Sequence, residues 1–335
     1  MPASKLPPLR YLDAAAVEAA MPALDERLRL AELTMTALAQ PGIAQQPPKI
    51  AVHPRPEGSF AHAMPAHLRG AAASDDLLGI KWIAGFGANS AAGLPVLHGL
   101  VILNDAGTGV PTAILDAAPI TAQRTAAVSG VAIRRFAPVV DERGPRAALI
   151  GAGVQGRSHV ALLGRVLPDV ELSIFDRHPD RAAALATLAS STEGIDHVHV
   201  AASARQAVDG ADVVVTAASF APAEERQVMT SDWLLPWTLV VAIDYATYCS
   251  AEVARGADLF LVDHREQFLA NRDAGLFDDY PEPTGMLGEA IVAKTPRPGG
   301  RVVVSHLGVG LADVVFGAAI LETATERGLG TELPR

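Results

Sequence analysis

Arg146-Ala-Ala-Leu-Ile-Gly-Ala-Gly-Val-Gln-Gly-Arg-Ser-His-Val160 is the stretch whose reading decides the fold. A short apolar run breaks into Gly151, Gly153 and Gly156, and apolar residues then recur with helical spacing at Val160, Leu163 and Leu167. The pattern is a strand, a tight glycine turn and a helix start. The first glycine permits the turn, the second lets the backbone approach a pyrophosphate, and the third lets the helix pack on the strand. Helix amides at Val154 and Gln155 then face the phosphates, because a helix N-terminus is electropositive and its first N–H groups lack partners. Twenty residues after Gly156, the run Glu171-Leu-Ser-Ile-Phe-Asp176 ends in an acid placed for a ribose 2′-hydroxyl. A bound dinucleotide is the expectation. Asp176 repels a 2′-phosphate and favours NAD, while Arg177 beside it leaves NADP open.

Downstream, short β-branched runs recur at His197-Val-His-Val200, Ala211-Asp-Val-Val-Val-Thr216, Leu239-Val-Val-Ala-Ile-Asp244, Asp258-Leu-Phe-Leu-Val-Asp263 and Arg301-Val-Val-Val-Ser305. Runs that are apolar throughout suit strands buried on both faces of a parallel sheet. The expected fold is α/β: a Rossmann-like, doubly wound parallel sheet over residues 121–306, with a discontinuous α+β domain from residues 1–120 and 307–335. In that first part, Val17, Met21, Leu24, Leu28 and Leu33 mark amphipathic helices. Ile50-Ala-Val-His53 is a short strand among prolines, and Gly79-Ile-Lys-Trp-Ile-Ala84 is a strand. His98-Gly-Leu-Val-Ile-Leu103 and Val110-Pro-Thr-Ala-Ile-Leu115 form a hairpin around Asn104-Asp-Ala-Gly-Thr-Gly109. A long helix is predicted from Ile120 to Phe136 with Thr121 as its cap and Arg124 and Thr125 in its first turn, and a last helix over 314–327.

Composition bounds the function. The chain has 335 residues, 50% hydrophobic and 19% charged, which is enough for two domains with a large core. The formal net charge of −10 and the absence of a basic block argue against nucleic acid and anionic membrane as partners. No apolar run is long enough to cross a bilayer, and Met1-Pro-Ala-Ser-Lys-Leu-Pro-Pro lacks a signal-like apolar segment, so a cytoplasmic location is expected. The one cysteine, Cys249, excludes an intrachain disulfide and suits a reducing compartment; it reads as an inert thiol. His197 and His199 alternate along a strand, no histidine pair has helical ligand spacing, and no metal is expected.

Several polar residues stand out. Lys81 lies in an apolar run, where it either snorkels to the surface or serves a ligand. Arg124, beside a positive helix terminus, is either a solvated charge or the partner of a bound anion. Asp313 after Gly308 reads as a helix cap or as a working acid, and Asp244 at a strand end as a loop cap or a ligand contact.

Taken together, Gly79-Ile-Lys81, Asn89 with Gly93-Leu-Pro95, Thr108-Gly109, Ile120-Thr-Ala-Gln-Arg-Thr-Ala-Ala127, Gly151-Ala-Gly-Val-Gln155, Ala211-Asp-Val-Val-Val-Thr216, Gly288-Glu289 and Gly308 with Asp313 run in the order of the ornithine cyclodeaminase and mu-crystallin family, which this chain resembles over nearly its whole length. The resemblance implies a homodimer with NAD or NADP in the Rossmann-like domain. It implies Lys81 and Arg124 as cations for the substrate α-carboxylate, with Lys49 at the position of a third cation that is usually arginine. It places Met64 in the substrate site, Thr125 and Thr216 near the cofactor, and Asp313 and Asp244 as acids. Two segments depart from the cyclodeaminases. Their Glu-x-Met-Pro is His62-Ala-Met-Pro65 here, and Asp244 is followed by Tyr-Ala-Thr-Tyr-Cys-Ser-Ala-Glu252 in place of a Pro-Gly-Lys turn. The expected function is therefore an NAD(P)-dependent imine or ketimine reductase, or an amino-acid (opine-type) dehydrogenase, acting on a small amino acid, 2-oxo acid or imine. A cyclodeaminase-type lyase and a non-catalytic ligand-binding protein are the alternatives.

Overall fold

The structure is a computed structural model that describes residues 6–140 and 143–335. The expectation for the chain's beginning rests partly on residues 1–5, which lie outside those described. In chain order the elements are β1 (Leu9–Leu12), α1 (Ala14–Ala19), α2 (Leu24–Leu38), β2 (Ala44–Gln45), β3 (Ile50–Val52), β4 (Phe60–Leu68), β5 (Leu77–Gly85), β6 (Leu97–Asn104), β7 (Pro111–Asp116) and α3 (Ala117–Phe136). There follow β8 (Arg146–Ile150), α4 (Val154–Val166), β9 (Val170–Phe175), α5 (Pro179–Ser190), β10 (Ile195–Val200), α6 (Ala204–Val208), β11 (Val213–Thr216), β12 (Leu239–Ala242), α7 (Ala251–Arg255) and β13 (Leu259–Val262). Then come α8 (Arg265–Asp273), β14 (Gly285–Met286), α9 (Leu287–Val292), β15 (Val302–Ser305), α10 (Gly310–Glu326) and β16 (Thr331–Leu333). The chain divides into two compact units, residues 1–124 with 309–335, and residues 125–308. Among the described residues no helix is long and apolar enough to cross a membrane.

The first unit is a mixed sheet in the order β16-β1-β7-β6-β5-β4-β2, with β3 also paired to β4. The β4–β5–β6–β7 run is antiparallel, while β1 joins β7 in parallel. Side chains alternate across β5: Gly79, Lys81, Ile83 and Gly85 are buried and Trp82 is exposed. Helix α10 packs along the buried face over β4, β5 and β6. Its first eight residues, Gly310 to Gly317, are all buried, as expected of a helix apolar on every side. Gly310 is required there, since a Cβ would lie 2.5 Å from the Met64 carbonyl oxygen.

The second unit is a parallel sheet in the order β10-β9-β8-β11-β12-β15-β13-β14. Strands β8, β11, β12, β13 and β15 are buried along nearly their whole length, which explains their unbroken apolar runs. Strand order reverses between β8 and β11, and the carboxyl ends at that reversal are where doubly wound sheets bind ligands.

Two helix starts differ from the sequence expectation. Helix α3 begins at Ala117, three residues before Ile120, because Asp116 Oδ1 accepts a hydrogen bond from the Ala118 amide at 2.8 Å and Pro119 needs no amide partner in a first turn. Thr121 is thus not a cap, Arg124 and Thr125 lie beyond the first turn, and the dipole argument for an anion at Arg124 lapses. Helix α10 begins at Gly310, four residues before Val314.

Candidate active site

In the first unit the buried face of β5 meets the first turn of α10. Asp313 is fully buried in that turn, where a carboxylate gains from the helix dipole but loses its water. Two cations answer it. Lys81 Nζ lies 2.6 Å from Asp313 Oδ2, and Arg124 Nε donates to Asp313 Oδ1 at 3.1 Å. Lys81 is 1% exposed and Arg124 4%, so neither the snorkelling nor the solvated-helix reading survives. Lys81 also donates to Thr121 Oγ1 at 3.4 Å. Burial pulls the Lys81 ammonium down to about 7; Asp313 opposes this, and Arg124 and Lys49 add to it.

The three charges sum to one net positive. Removing Asp313 from such a cluster leaves two buried cations uncompensated, which costs about 3–5 kcal/mol, whereas removing either cation leaves a neutral pair. One incoming carboxylate neutralises the full cluster. Arg124 has five N–H donors, of which Asp313 takes the one on Nε, and a lysine ammonium has three. The α10 amides are themselves held: Leu311 N donates to Gln46 Oε1 at 2.7 Å, so a loop 265 residues away caps the helix that carries Asp313. Lys49 lies half-buried in the same loop, three residues on. Met64, 3% exposed, packs under Gly310.

In the second unit the glycine turn is built as its residue types demand. Gly151 has φ +105°, and a Cβ on it would lie 2.5 Å from the Ala217 carbonyl oxygen; a Cβ on Gly156 would lie 2.0 Å from the Gly151 oxygen. Both glycines serve the turn itself. Gly153 is different: a Cβ there meets nothing within 4 Å, so its bareness leaves open space in front of the helix. Gly153 also caps α4 without a side-chain hydrogen bond, leaving the amides of Val154 and Gln155 to an outside acceptor. Val154 is exposed and Gln155 half-buried. Asp176 is fixed at the end of β9 by two backbone donors, Ala152 N to Oδ2 at 2.7 Å and His178 N to Oδ1 at 2.8 Å, and Arg177 is exposed beside it. These features fit a dinucleotide pyrophosphate and ribose.

Thr216 and Asp244 meet at the carboxyl ends of β11 and β12. Thr216 Oγ1 donates to Asp244 Oδ1 at 3.0 Å, and both residues are buried, so the threonine hydroxyl is committed to the acid. Asp244 Oδ2 is buried with no hydrogen-bond partner among the described residues, and burial raises this carboxyl to about 6. The segment that lacks the Pro-Gly turn takes a left-handed path through two residues that are not glycine, Tyr245 at φ +51° and Ala246 at φ +61°. Such backbone costs about 1–2 kcal/mol per residue. The Tyr245 hydroxyl donates to the Leu307 carbonyl at 3.3 Å, and its ring lies edge-on to Phe220, centroids 4.7 Å apart. Cys249 is fully buried, and burial pushes its thiol up to about 12, an unreactive state.

Sequence reading missed one polar chain. His159 Nδ1 bonds the Gln155 carbonyl at 2.6 Å and therefore carries the proton; its Nε2 then accepts from Ser129 Oγ at 2.8 Å, and Ser129 accepts from His306 Nε2 at 2.9 Å. Burial holds His159 neutral, down at about 4. The three residues come from segments far apart in sequence, with no spacing to announce them. Among the described residues no group of three or more His, Cys, Asp or Glu could hold a metal ion.

The model of the ornithine cyclodeaminase/mu-crystallin family matches residues 14–327. Nodulation efficiency protein NfeD of Rhizobium meliloti is 35% identical over 296 residues, covering 87% of this chain and 88% of its own. Ketimine reductase mu-crystallin of Mus musculus is 27% identical over 290 residues, covering 84% and 86%. Among solved structures, Thermococcus litoralis Delta(1)-pyrroline-2-carboxylate reductase in complex with NADH and L-proline superposes with a TM-score of 0.84 at 24% identity, over 97% of this chain and 100% of that one. On its sequence this chain belongs to the ornithine cyclodeaminase/mu-crystallin family.

Proposed function

We propose that the protein is an NAD-dependent reductase of a C=N bond next to a carboxylate, an imine or ketimine reductase or an amino-acid dehydrogenase of the opine type. The observation that carries this reading is the buried Lys81–Asp313–Arg124 cluster, whose single net positive charge suits one α-carboxylate. Lys81 and Arg124 bind that carboxylate by charge-assisted hydrogen bonds and orient the carbon beside it, while Asp313 holds the two cations in place. Lys49 adds charge from the neighbouring loop and Met64 an apolar wall. When bound, the reduced nicotinamide supplies a hydride to the carbon of the C=N bond. Gly151, Gly153, Val154, Gln155 and Gly156 would hold its pyrophosphate, with Thr125 and Thr216 toward the nicotinamide end. With Lys81 brought down to about 7 and in contact with Asp313, this pair can hold a proton for the substrate nitrogen near neutral pH. Asp244, raised to about 6, is the second acid.

Asp176 supports NAD over NADP, because its carboxylate is fixed where a 2′-phosphate would place further negative charge. Fluorescence titration with both reduced cofactors tests this, and tighter binding of NADPH would overturn it. A homodimer is part of the same reading. The sheet face opposite Lys81 exposes Ile50, Val52, Trp82 and Leu100, an apolar patch of the kind that a second copy covers. The cytoplasmic location expected from composition and from the single buried cysteine completes it.

The deciding experiment presents 2-oxo acids with ammonia, methylamine or amino acids, together with cyclic imines and ornithine, while following nicotinamide absorbance and ammonia. The reductase reading predicts stoichiometric NADH consumption. Ammonia release from a diamino acid with no net change in absorbance would instead establish cyclodeaminase chemistry.

A further inference from the structure

Two side chains of the second unit converge on one backbone oxygen. His159 Nδ1 donates to the Gln155 carbonyl at 2.6 Å, and Ser158 Oγ donates to the same oxygen at 2.8 Å, in addition to that carbonyl's place in the α4 ladder. The peptide so loaded joins Gln155 to Gly156. Its N–H belongs to the first turn of α4, where the amides of Val154, Gln155 and Gly156 meet no acceptor among the described residues; Arg157 is the first to find one, the Gly153 carbonyl at 3.0 Å. First-turn amides point beyond a helix's N-terminus, here into the open space at Gly153, and no acidic side chain of that turn takes them. Each donor on a carbonyl oxygen draws charge from the peptide nitrogen and strengthens its N–H, by about 10–30% per bond. Loading the Gln155 oxygen therefore acts on the Gly156 amide.

Behind His159 the protons have one arrangement. A carbonyl only accepts, so Nδ1 carries the imidazole proton. Nε2 is then bare and takes the Ser129 hydroxyl proton at 2.8 Å, and Ser129, its proton spent, accepts from His306 Nε2 at 2.9 Å. Burial keeps His159 neutral, with a single ring proton to place. Ser129, His159 and His306 are each at most 1% exposed. Apolar side chains would fill such a place without burying polar atoms, so packing does not call for this chain. Its end point does, because a fixed tautomer keeps a donor on the Gln155 oxygen.

We propose that His159 and Ser158 are positioning residues for the cofactor pyrophosphate: they fix and polarise the Gln155–Gly156 peptide, whose N–H is offered to a phosphate oxygen, while Ser129 and His306 hold His159 in the tautomer this requires. The role rests on the dinucleotide reading of the turn, and the experiment separates the two. Dissociation constants for NADH, ADP-ribose and adenosine are measured, with melting temperatures, in the unaltered protein and in His159→Leu, Ser158→Ala and Gly153→Ala. His159→Leu should weaken NADH and ADP-ribose by about three- to tenfold, the share of one hydrogen bond, and Ser158→Ala by about two- to threefold. Adenosine, which lacks the pyrophosphate, should bind both variants as it binds the unaltered protein. Nitrogen NMR of the unaltered protein should show the His159 proton on Nδ1, and Ser129→Ala should weaken that preference. If NADH and ADP-ribose are unmoved in His159→Leu and Ser158→Ala while Gly153→Ala weakens both, the positioning role is overturned and the dinucleotide site stands. Equal losses for all three ligands would mark the chain as structural only and also overturn the role. If Gly153→Ala leaves NADH binding unmoved as well, the dinucleotide reading of the turn falls and the role falls with it. Should His159→Leu fail to fold, Ser158→Ala and the spectrum of the unaltered protein decide: a His159 proton on Nε2 overturns the role.

Discussion

The glycine turn of the second unit and the ion cluster of the first are made from opposite materials. The turn is backbone: three glycines, an uncapped helix start and one carboxylate tied to two amides, all within residues 151–178. The cluster is side chain: Lys81, Arg124 and Asp313 come from a strand and two helices, are separated by as many as 232 positions, and are buried together. A backbone site presents dipoles that stay the same at any pH and require no counter-charge. A site of buried charges has a protonation state and collapses electrostatically when its shared counter-charge is removed.

That contrast can be broken in five places. Asp313→Ala should be the most damaging, costing about 3–5 kcal/mol in urea unfolding as well as activity, because it strands two buried cations. Equal stability with and without Asp313 would show that the cluster is solvated. Arg124→Ala should lower kcat/KM by a factor equivalent to about 2–5 kcal/mol, with the dissociation constant for NADH moved less than twofold. An equal loss of cofactor affinity would erase the division of labour. In the turn, Gly156→Ala should destabilise by about 1–3 kcal/mol, since its methyl meets the Gly151 carbonyl. Gly153→Ala should leave the melting temperature unchanged and weaken NADH binding by about tenfold, because its methyl enters only the open space in front of α4, where the phosphates are proposed to lie. The smallest effect is in pH. With Lys81 titrating at about 7, the charged form that grips a carboxylate is present below that value and lost above it. For a single group, kcat/KM should fall about eightfold from pH 6.5 to 8. Lys81→Arg, which keeps its charge, should lack this fall whatever its absolute rate.

The same contrast governs what could be read without coordinates. The central parallel strands were legible because burial on both faces leaves a continuous apolar run, and the turn because glycine spacing is local, whereas β9 alternates and the edge strand β10 is mostly exposed. Lys81 was ambiguous. Alternation says that it shares a face with Gly79 and Ile83, but whether its amine reaches water depends on α10, more than two hundred residues away. Strands β1 and β16 were missed, since they are four and three residues long and owe their existence to each other and to β7. Strand β4 was hidden by Pro65, which pairs opposite Ile80 without an amide to offer. The start of α3 went to Thr121 because Asp116 is the last residue of a strand and also the cap of a helix, two roles that one letter does not separate.

Helix α10 has a consequence for the order in which the molecule can be made. Residues 125–308 emerge from a ribosome before the helix that completes the first unit, so the parallel sheet can close while β1 to β7 still lack their covering element. Throughout that interval Lys81 and Arg124 have no Asp313. Their charges favour water until the last helix arrives and brings the acid that allows both to be enclosed, which makes enclosure of the ion cluster one of the final acts of folding.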